Sequence, residues 1–262
     1  MICDTAKSSM IGHPLVIEFV GLPGAGKTSI ARRVIERLQL LGHACGDLDR
    51  VERETPGRLR HYTRIAAFTV RNCRSALAAL RFGLGVHPFR LARVRCALEL
   101  FAWSYRLRRV RASEYGVVVL DQGPVQDVWS VVVKGDLPSE GAIKRALRGA
   151  VAGAGLSFAF VYFDIGVDAA LERIATRPAT KCRFDVMQVD EARRLLATHD
   201  EHLRSILACA QDVSGAPCFQ VDAARPPEEL SEEVAEFVNS VAFWQWNNAS
   251  SGRKPEWTRE QA

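Results

Sequence analysis

Short apolar runs alternate along this chain with longer segments whose apolar positions recur every three or four residues. The first run, residues 15–20, leads directly into a glycine-rich stretch and predicts a buried strand. Residues 28–41 carry apolar side chains at helical spacing, and Gly42 is placed to end that helix. Residues 44–49 fit a short second strand.

The same alternation continues through the rest of the chain. Apolar runs at 117–120, 159–163 and 218–221 each predict a strand, and an aspartate follows each of them. Helical spacing predicts helices at 59–80, 91–105, 124–133, 139–152, 167–176, 188–210 and 227–241. Alternation of this kind predicts an α/β fold, a three-layer sandwich with an approximately five-stranded parallel sheet and ligands at the carboxyl ends of the strands.

Length and composition favour one large domain with an elaboration. The chain has 262 residues, of which 48% are apolar and 25% charged, as in ordinary globular proteins, and this excludes disorder as the main state. We expect a flexible leader at 1–13, one domain at 14–246 and a flexible tail at 247–262. Residues 53–113 form an insert within that domain, and 173–186 form a mobile lid.

The net charge of +5 is unevenly distributed. Residues 53–111 hold fourteen arginines, no lysine and two glutamates, which gives +12 and leaves −7 for the remainder. The basic character therefore belongs to one arginine-rich helical insert, and a basic domain throughout is excluded.

Cysteine usage and hydropathy indicate a cytoplasmic protein. The seven cysteines are odd in number and form no close pair of the kind that zinc or dithiol chemistry needs. The longest uncharged stretch, residues 149–163, is shorter than the ~20 residues that span a bilayer. We expect neither a signal peptide nor a membrane anchor.

The strongest motif lies between the first strand and the first helix. Residues 21–28, Gly-Leu-Pro-Gly-Ala-Gly-Lys-Thr, match the P-loop pattern G-x-x-x-x-G-K-[ST]. Its backbone N–H groups can bind phosphate oxygens, Lys27 can reach the β- and γ-phosphates, and Thr28 can hold Mg²⁺. The residues predicted to bind the nucleotide are Gly21, Gly24, Ala25, Gly26, Lys27, Thr28, Ser29 and Arg173.

A second candidate, Asp121, closes the strand at 117–120. P-loop proteins place a carboxylate for Mg²⁺ at this position. The alternative is that Asp121 only caps the following turn, because residues 121–124, Asp-Gln-Gly-Pro, are typical of a turn. No glutamate follows Asp121, so the Asp-Glu pair of motor-type ATPases is missing, and no Asn-Lys-x-Asp stretch for guanine selection occurs. A kinase is the class that remains.

Asp47 and Asp49 end the second predicted strand, beside the phosphate site. A hydroxyl acceptor benefits from a carboxylate that takes its proton, whereas a phosphate acceptor mainly needs cations. This pair therefore favours a hydroxyl acceptor, and two solvated turn aspartates are an equally weighted alternative.

Basic residues cluster again in the predicted lid. Four basic residues lie within eleven positions there: Arg173, Arg177, Lys181 and Arg183. They can close over the phosphates, and the alternative is an ordinary solvated loop.

Three interpretations are open for the arginines of the insert. They form a solvated helix face, a cleft for an anionic acceptor that includes Arg64 and Arg71, or a surface for an anionic membrane or nucleic acid.

The P-loop, residues 117–121, 161–164 and 171–174 and the segment 177–185 resemble the thymidylate kinase-like branch of the nucleoside monophosphate kinases. The resemblance implies a five-stranded sheet, Mg-ATP on the P-loop and lid arginines at 173, 177 and 183. The chain departs from that branch at Gln122, where an arginine is usual, and at the P-loop, which lacks an acidic residue. Asp47 and Asp49 are similar instead to the second-strand carboxylates of shikimate, gluconate and adenylylsulfate kinases, which phosphorylate hydroxyls.

These observations predict a kinase that transfers the γ-phosphoryl of Mg-ATP to a small-molecule hydroxyl acceptor, nucleoside-like or an anionic metabolite. Its predicted catalytic residues are Lys27, Asp49, Asp121, Arg177 and Arg183; Thr28 and Asp121 hold the metal. The acceptor is predicted to contact Asp47, Asp49, Arg64, Arg71 and Gln122. The alternatives are a nucleoside monophosphate kinase and an ATP-binding module that docks on an anionic membrane or nucleic acid; a homodimer is left open.

Overall fold

All five strands of the sheet run parallel. The computed structural model describes residues 14–53, 91–133, 137–151, 155–177, 184 and 187–248. The strands are β1 Leu15–Gly21, β2 Cys45–Asp47, β3 Val117–Leu120, β4 Ser157–Asp164 and β5 Cys218–Asp222. Their order is β2-β3-β1-β4-β5, so the strand that leads into the glycine-rich motif lies at the centre of the sheet.

Eight helices occur within the described residues. They are α1 Lys27–Leu40, α2 Leu48–Arg53, α3 Leu91–Arg111, α4 Pro124–Val132, α5 Glu140–Ala150, α6 Val167–Thr176, α7 Val189–Ser214 and α8 Pro227–Asn248. The crossover from β1 to β2 runs one way along the sheet, whereas the later crossovers run the other way. Because parallel crossovers are right-handed, α1 lies on one face with α8, and α3 to α7 cover the opposite face. The predicted three-layer α/β sandwich is confirmed.

The core is formed around β1. All seven of its residues are buried, and it pairs with β3 from Leu15 to Glu18 and with β4 along its whole length. Ile30, Val34 and Leu38 give α1 a buried stripe against this sheet. The central strand and α1 thus hold the connecting glycine-rich loop from both sides.

The arginine-rich α3 belongs to this core. Leu107 and Val110 are fully buried, and the indole Nε1–H of the buried Trp103 donates a hydrogen bond to the Asp127 carboxylate on α4. Arg109 donates to the carbonyl oxygens of Val51 and Glu52 at 2.8 and 3.1 Å. This end of the insert is therefore packed against α2 and α4.

Three predicted boundaries differ from those in the structure, the first two because of local contacts. The second strand ends at Asp47 and not at residue 49, since the Asp47 carboxylate accepts a hydrogen bond from the Arg50 N–H at 2.8 Å and starts α2. The helix predicted at 188–210 continues to Ser214 and ends at Gly215, whose φ of 68° is left-handed. The last helix extends to Asn248, past the predicted start of the tail.

Some predictions lie outside the described residues. They are the leader at 1–13, the helix at 59–80 with Arg64 and Arg71, the lid residues Lys181 and Arg183, and the tail from 249 onward. In the part that is described, no helix combines the length and the apolar character needed to cross a membrane.

We predict that Leu107→Ala lowers the free energy of unfolding by about 2–5 kcal/mol, because it leaves a cavity in the core where α3 packs against neighbouring helices. The matched control is Leu40→Ala, the same substitution at a side chain that is 88% exposed, where we expect a change within about 0.5 kcal/mol. Chemical denaturation of both variants measures the difference. Equal effects would show that α3 does not belong to the core.

Candidate phosphate and metal site

The glycine-rich loop lies against the backbone of its neighbours. A Cβ added to Gly21 would lie 2.8 Å from the Phe163 carbonyl oxygen, and one added to Gly24 would lie 2.6 Å from the Ala170 carbonyl oxygen. Gly24 also has a φ of 88°. The loop therefore needs glycine at Gly24 for both its conformation and its close approach to α6.

Gly26 is required for a different reason. Its φ of 83° is left-handed, yet an added Cβ would meet nothing within 4 Å. It is the N-cap of α1 and provides no side-chain cap. The N–H groups at the start of α1 thus border open space, which is the arrangement that binds phosphate.

The side chain of Lys27, the first residue of α1, folds back onto the preceding loop. Its side chain is 9% exposed, and Nζ donates hydrogen bonds to the carbonyl oxygens of Gly21 at 2.6 Å and Leu22 at 3.0 Å. The ammonium group is thereby held at the mouth of the loop. The adjacent Ser29 is exposed on the first turn of α1.

The fold brings together Thr28 and Asp121, which lie 93 positions apart in the chain. The Thr28 hydroxyl donates to the Asp121 Oδ2 at 2.9 Å. Asp121 directly follows β3 and is half-buried, and the neighbouring Gln122 is exposed. A hydroxyl and a carboxylate side by side next to a phosphate-binding loop are oxygen ligands of the kind Mg²⁺ prefers.

The two candidate acceptor aspartates have different environments. Asp47 caps α2 through the Arg50 N–H, so its side chain has a structural role. Asp49 lies in the first turn of α2, is exposed, and follows β2 at the same edge of the sheet as Asp121. Asp49 is therefore the better candidate for contact with an acceptor.

Arg173 and Arg177 lie on and just after the last turn of α6, the helix that the loop touches at Ala170. Both are half-buried. Of the insert arginines, Arg109 holds α2, and Arg106 lies 5.0 Å from the Trp103 ring centroid and 3.4 Å from the Glu52 carboxylate. These two arginines therefore contact other parts of the fold, and the three interpretations of the insert stay predictions.

One buried residue near the site escaped the sequence reasoning. Glu18 lies in β1 with a fully buried side chain, and its carboxylate accepts hydrogen bonds from the first turn of α4, just after Asp121. The signal in the sequence is a single charged residue in an otherwise apolar strand. Its contacts could not be read from that signal, because they join residues 107 and 108 positions apart.

Comparison with known proteins gives fold similarity only. Models of protein families give no match, and neither do curated protein sequences. A structure of deoxyadenosine kinase from M. mycoides with the products dCMP and a flexible dCDP bound matches with a TM-score of 0.50 and 18% identity, over 86% of this chain and 99% of that chain. The same enzyme with bound dATP matches with a TM-score of 0.49 and 17% identity, over 86% and 98%.

At this identity the likeness shows the fold, and the chain has the fold of P-loop kinases. The deoxyadenosine kinase structure that matches with a TM-score of 0.50 supports the kinase fold and not the thymidylate kinase-like branch specifically. That finer assignment stays a prediction.

We predict that Gly24→Ala abolishes measurable nucleotide binding, because the new Cβ would displace the loop from the Ala170 carbonyl. The matched control is Gly42→Ala, which has the same φ of 88° but meets no atom within 4 Å. Backbone strain should cost each variant about 1–2 kcal/mol of stability. Calorimetric titration with ADP should separate them, and equal ADP affinity in the two variants would contradict the role given to this contact.

Proposed function

We propose that this chain is an ATP-dependent kinase that transfers the γ-phosphoryl group of Mg-ATP to a hydroxyl of a small, nucleoside-like acceptor. The observation that carries the proposal is the Thr28–Asp121 hydrogen bond, next to a loop whose lysine and helix N-terminus face the same space. The fold similarity to a deoxyadenosine kinase supports the nucleoside class of acceptor.

The phosphates of ATP would bind the N–H groups at the start of α1 and the ammonium of Lys27. In the structure two neutral carbonyl oxygens hold that ammonium. Phosphate oxygens carry full negative charge and form stronger, charge-assisted hydrogen bonds. Lys27 would therefore exchange the carbonyls for the β- and γ-phosphates and stabilise the charge that moves during transfer.

Thr28 and Asp121 would hold Mg²⁺, for which their oxygen atoms are suitable ligands. The ion neutralises charge on the β- and γ-phosphates when it is bound. The Thr28 hydroxyl now donates to Asp121, so it must turn its proton away when its oxygen becomes a ligand. The short distance between them keeps both oxygens in position for that change.

Asp49 would act on the acceptor. It projects from the first turn of α2 at the edge of the sheet where the loop and Asp121 also lie. A carboxylate there can accept the proton of the attacking hydroxyl. Gln122, exposed beside Asp121, is the candidate for a hydrogen bond to the acceptor, and Arg64 and Arg71 are further candidates from the insert.

The lid arginines would stabilise the transferring phosphoryl. Arg173 lies on the helix that contacts the phosphate loop and Arg177 directly follows that helix, so both would lie on the nucleotide side of the loop. Arg183 would join them from the segment that follows. Planar guanidinium groups suit phosphate oxygens because they donate two parallel hydrogen bonds.

The proposal is tested by measuring ADP release from Mg-ATP with nucleosides, deoxynucleosides, nucleoside monophosphates, sugars and sugar phosphates as acceptors. Acceptor-stimulated release with a nucleoside and a new phosphate ester in the product would support it. Release with monophosphates alone would favour the nucleoside monophosphate kinase. ATP binding without stimulation by any acceptor, together with salt-dependent retention on anionic vesicles or nucleic acid, would favour the binding module.

We predict that Lys27→Ala lowers kcat by on the order of 10²–10³-fold, because one positive charge at the transferring phosphoryl is lost. Far-UV circular dichroism should be unchanged, since the hydrogen bonds of the ammonium to Gly21 and Leu22 lie within the loop and outside the helices. Turnover equal to that of the wild type would remove the loop from the mechanism.

We predict that Asp49→Asn lowers kcat by roughly 10²–10⁴-fold, the scale of general-base assistance, with little change in ATP affinity. Asp47→Asn is the matched control two residues away, because asparagine also caps helices well and keeps the bond to the Arg50 N–H. Steady-state kinetics of both variants with the same acceptor provide the comparison. Similar losses at the two positions would rule out a specific role for Asp49.

A further inference from the structure

A carboxyl group lies inside the apolar sheet just below the phosphate loop. Glu18 is 0% exposed and lies in the central strand, level with Leu120 of β3 and Phe160 of β4. A buried carboxyl group costs several kcal/mol unless it is neutral or hydrogen-bonded. Its presence in the centre of the core therefore needs a reason.

The contacts of Glu18 are to the junction between β3 and α4. Its Oε1 accepts hydrogen bonds from the N–H groups of Val125 at 2.8 Å and Gln126 at 3.2 Å, which begin α4. The carboxyl also fills the space beside Gly123, where an added Cβ would lie 2.4 Å from the Glu18 Cδ. The Glu18 Oε1 thus acts as the cap of α4, although Glu18 belongs to β1 and not to the segment that precedes α4.

The two segments that Glu18 joins are those that carry the proposed site. The phosphate loop starts at Gly21, three residues after Glu18, and Asp121 lies two residues before Gly123. Thr28 and Asp121 connect the same two segments at the exposed surface. The Glu18 contacts are a second, buried link beneath that hydrogen bond.

We propose that Glu18 is a positioning residue that fixes the β3–α4 junction and so holds Asp121 where it can bind Mg²⁺ beside the phosphate loop. This rests on the proposed nucleotide site. Oε1 accepts two N–H groups of α4, so the neutral form of the acid carries its proton on Oε2. Neither Oε2 nor the buried Oε1 of Gln126 has a hydrogen-bond partner among the described residues, so the two N–H groups on Oε1 are the described donors that stabilise a charge on this carboxyl.

The surroundings favour the neutral form at physiological pH. The pKa of Glu18 is raised to about 8: burial is the main cause, the charge of Asp127 on α4 adds to it, and the hydrogen bonds from Gln126 and Val125 act in the opposite direction. Other ionisable groups on the packed elements are engaged elsewhere: on β4 and α7, Tyr162 donates to Asp200 and Arg204 bonds to Asp164. At the end of β3, Asp121 accepts from Thr28.

The test is the gain in ADP affinity that Mg²⁺ provides, measured by calorimetric titration with and without the ion. Glu18→Met removes the acceptor for the α4 N–H groups at similar side-chain length, and Glu18→Gln keeps an acceptor oxygen. The matched control, Val16→Ala, lies on the same strand two residues earlier, is equally buried, and is level with Val118 and Phe158, away from the junction.

We expect Glu18→Met to lose the Mg²⁺-dependent gain by about 10- to 100-fold, the usual effect of removing a group that orients a metal ligand. Glu18→Gln and Val16→Ala should keep it. Equal losses in Glu18→Met and Val16→Ala would overturn the proposal and leave Glu18 as a core residue. Because the readout is ADP binding, intact Mg²⁺-dependent binding without turnover on any acceptor would overturn the proposed kinase activity alone.

If Glu18→Met does not fold, Gly123→Ala takes its place in the comparison with Val16→Ala, because the added Cβ would lie 2.4 Å from the Glu18 Cδ and would displace the β3–α4 junction. We expect the same loss of the Mg²⁺-dependent gain in this variant. An unchanged gain would overturn the proposal. Thermal unfolding checks the ionisation: between about pH 4.5 and 8 the unfolded chain has lost the proton that the folded chain retains, so the wild type should lose stability relative to Glu18→Gln as pH rises.

Discussion

The close approach of the phosphate loop to the backbone of β4 and α6 is the constraint on which the rest of the site depends. At Gly21 and Gly24 the loop comes so near the carbonyls of Phe163 and Ala170 that a methyl group would not fit. Because the loop is fixed against these elements, its lysine, the start of α1 and Arg173 of α6 keep fixed positions relative to one another. A loop with the same glycines but a looser fit would provide N–H groups without placing them relative to α6.

This constraint explains which parts of the fold could be predicted from the sequence. The strands are short runs of β-branched and aromatic residues, such as Val117 to Leu120, whose burial decides their structure whatever follows them. The phosphate loop repeats a pattern in which each position has a local physical reason. The fold class and the phosphate half of the site therefore follow from residues that are neighbours in the chain.

What could not be predicted depends on long-range contacts. In the sequence Asp47 fits a turn aspartate and an acceptor ligand equally well, and neither interpretation includes the hydrogen bond that its carboxylate accepts from the Arg50 N–H at the start of α2. The arginines of the insert look alike in sequence, yet Arg109 holds the carbonyls of α2 while others are exposed on the same helix. Glu18 shows the limit most clearly, since a charged residue in a strand signals a partner but not its position.

The two links between the phosphate loop and the β3–α4 junction differ in a way that suits their tasks. The Thr28–Asp121 hydrogen bond is exposed and joins two side chains, so it can open when a metal ion takes their oxygens. The Glu18 link is buried and joins a side chain to backbone N–H groups, so breaking it would leave unpaired polar groups inside the protein. In the proposed reaction cycle the exposed link would open and re-form, and the Glu18 contacts would provide a fixed connection below it. The buried position of Glu18, expensive in a core of this kind, is what makes that connection hard to break.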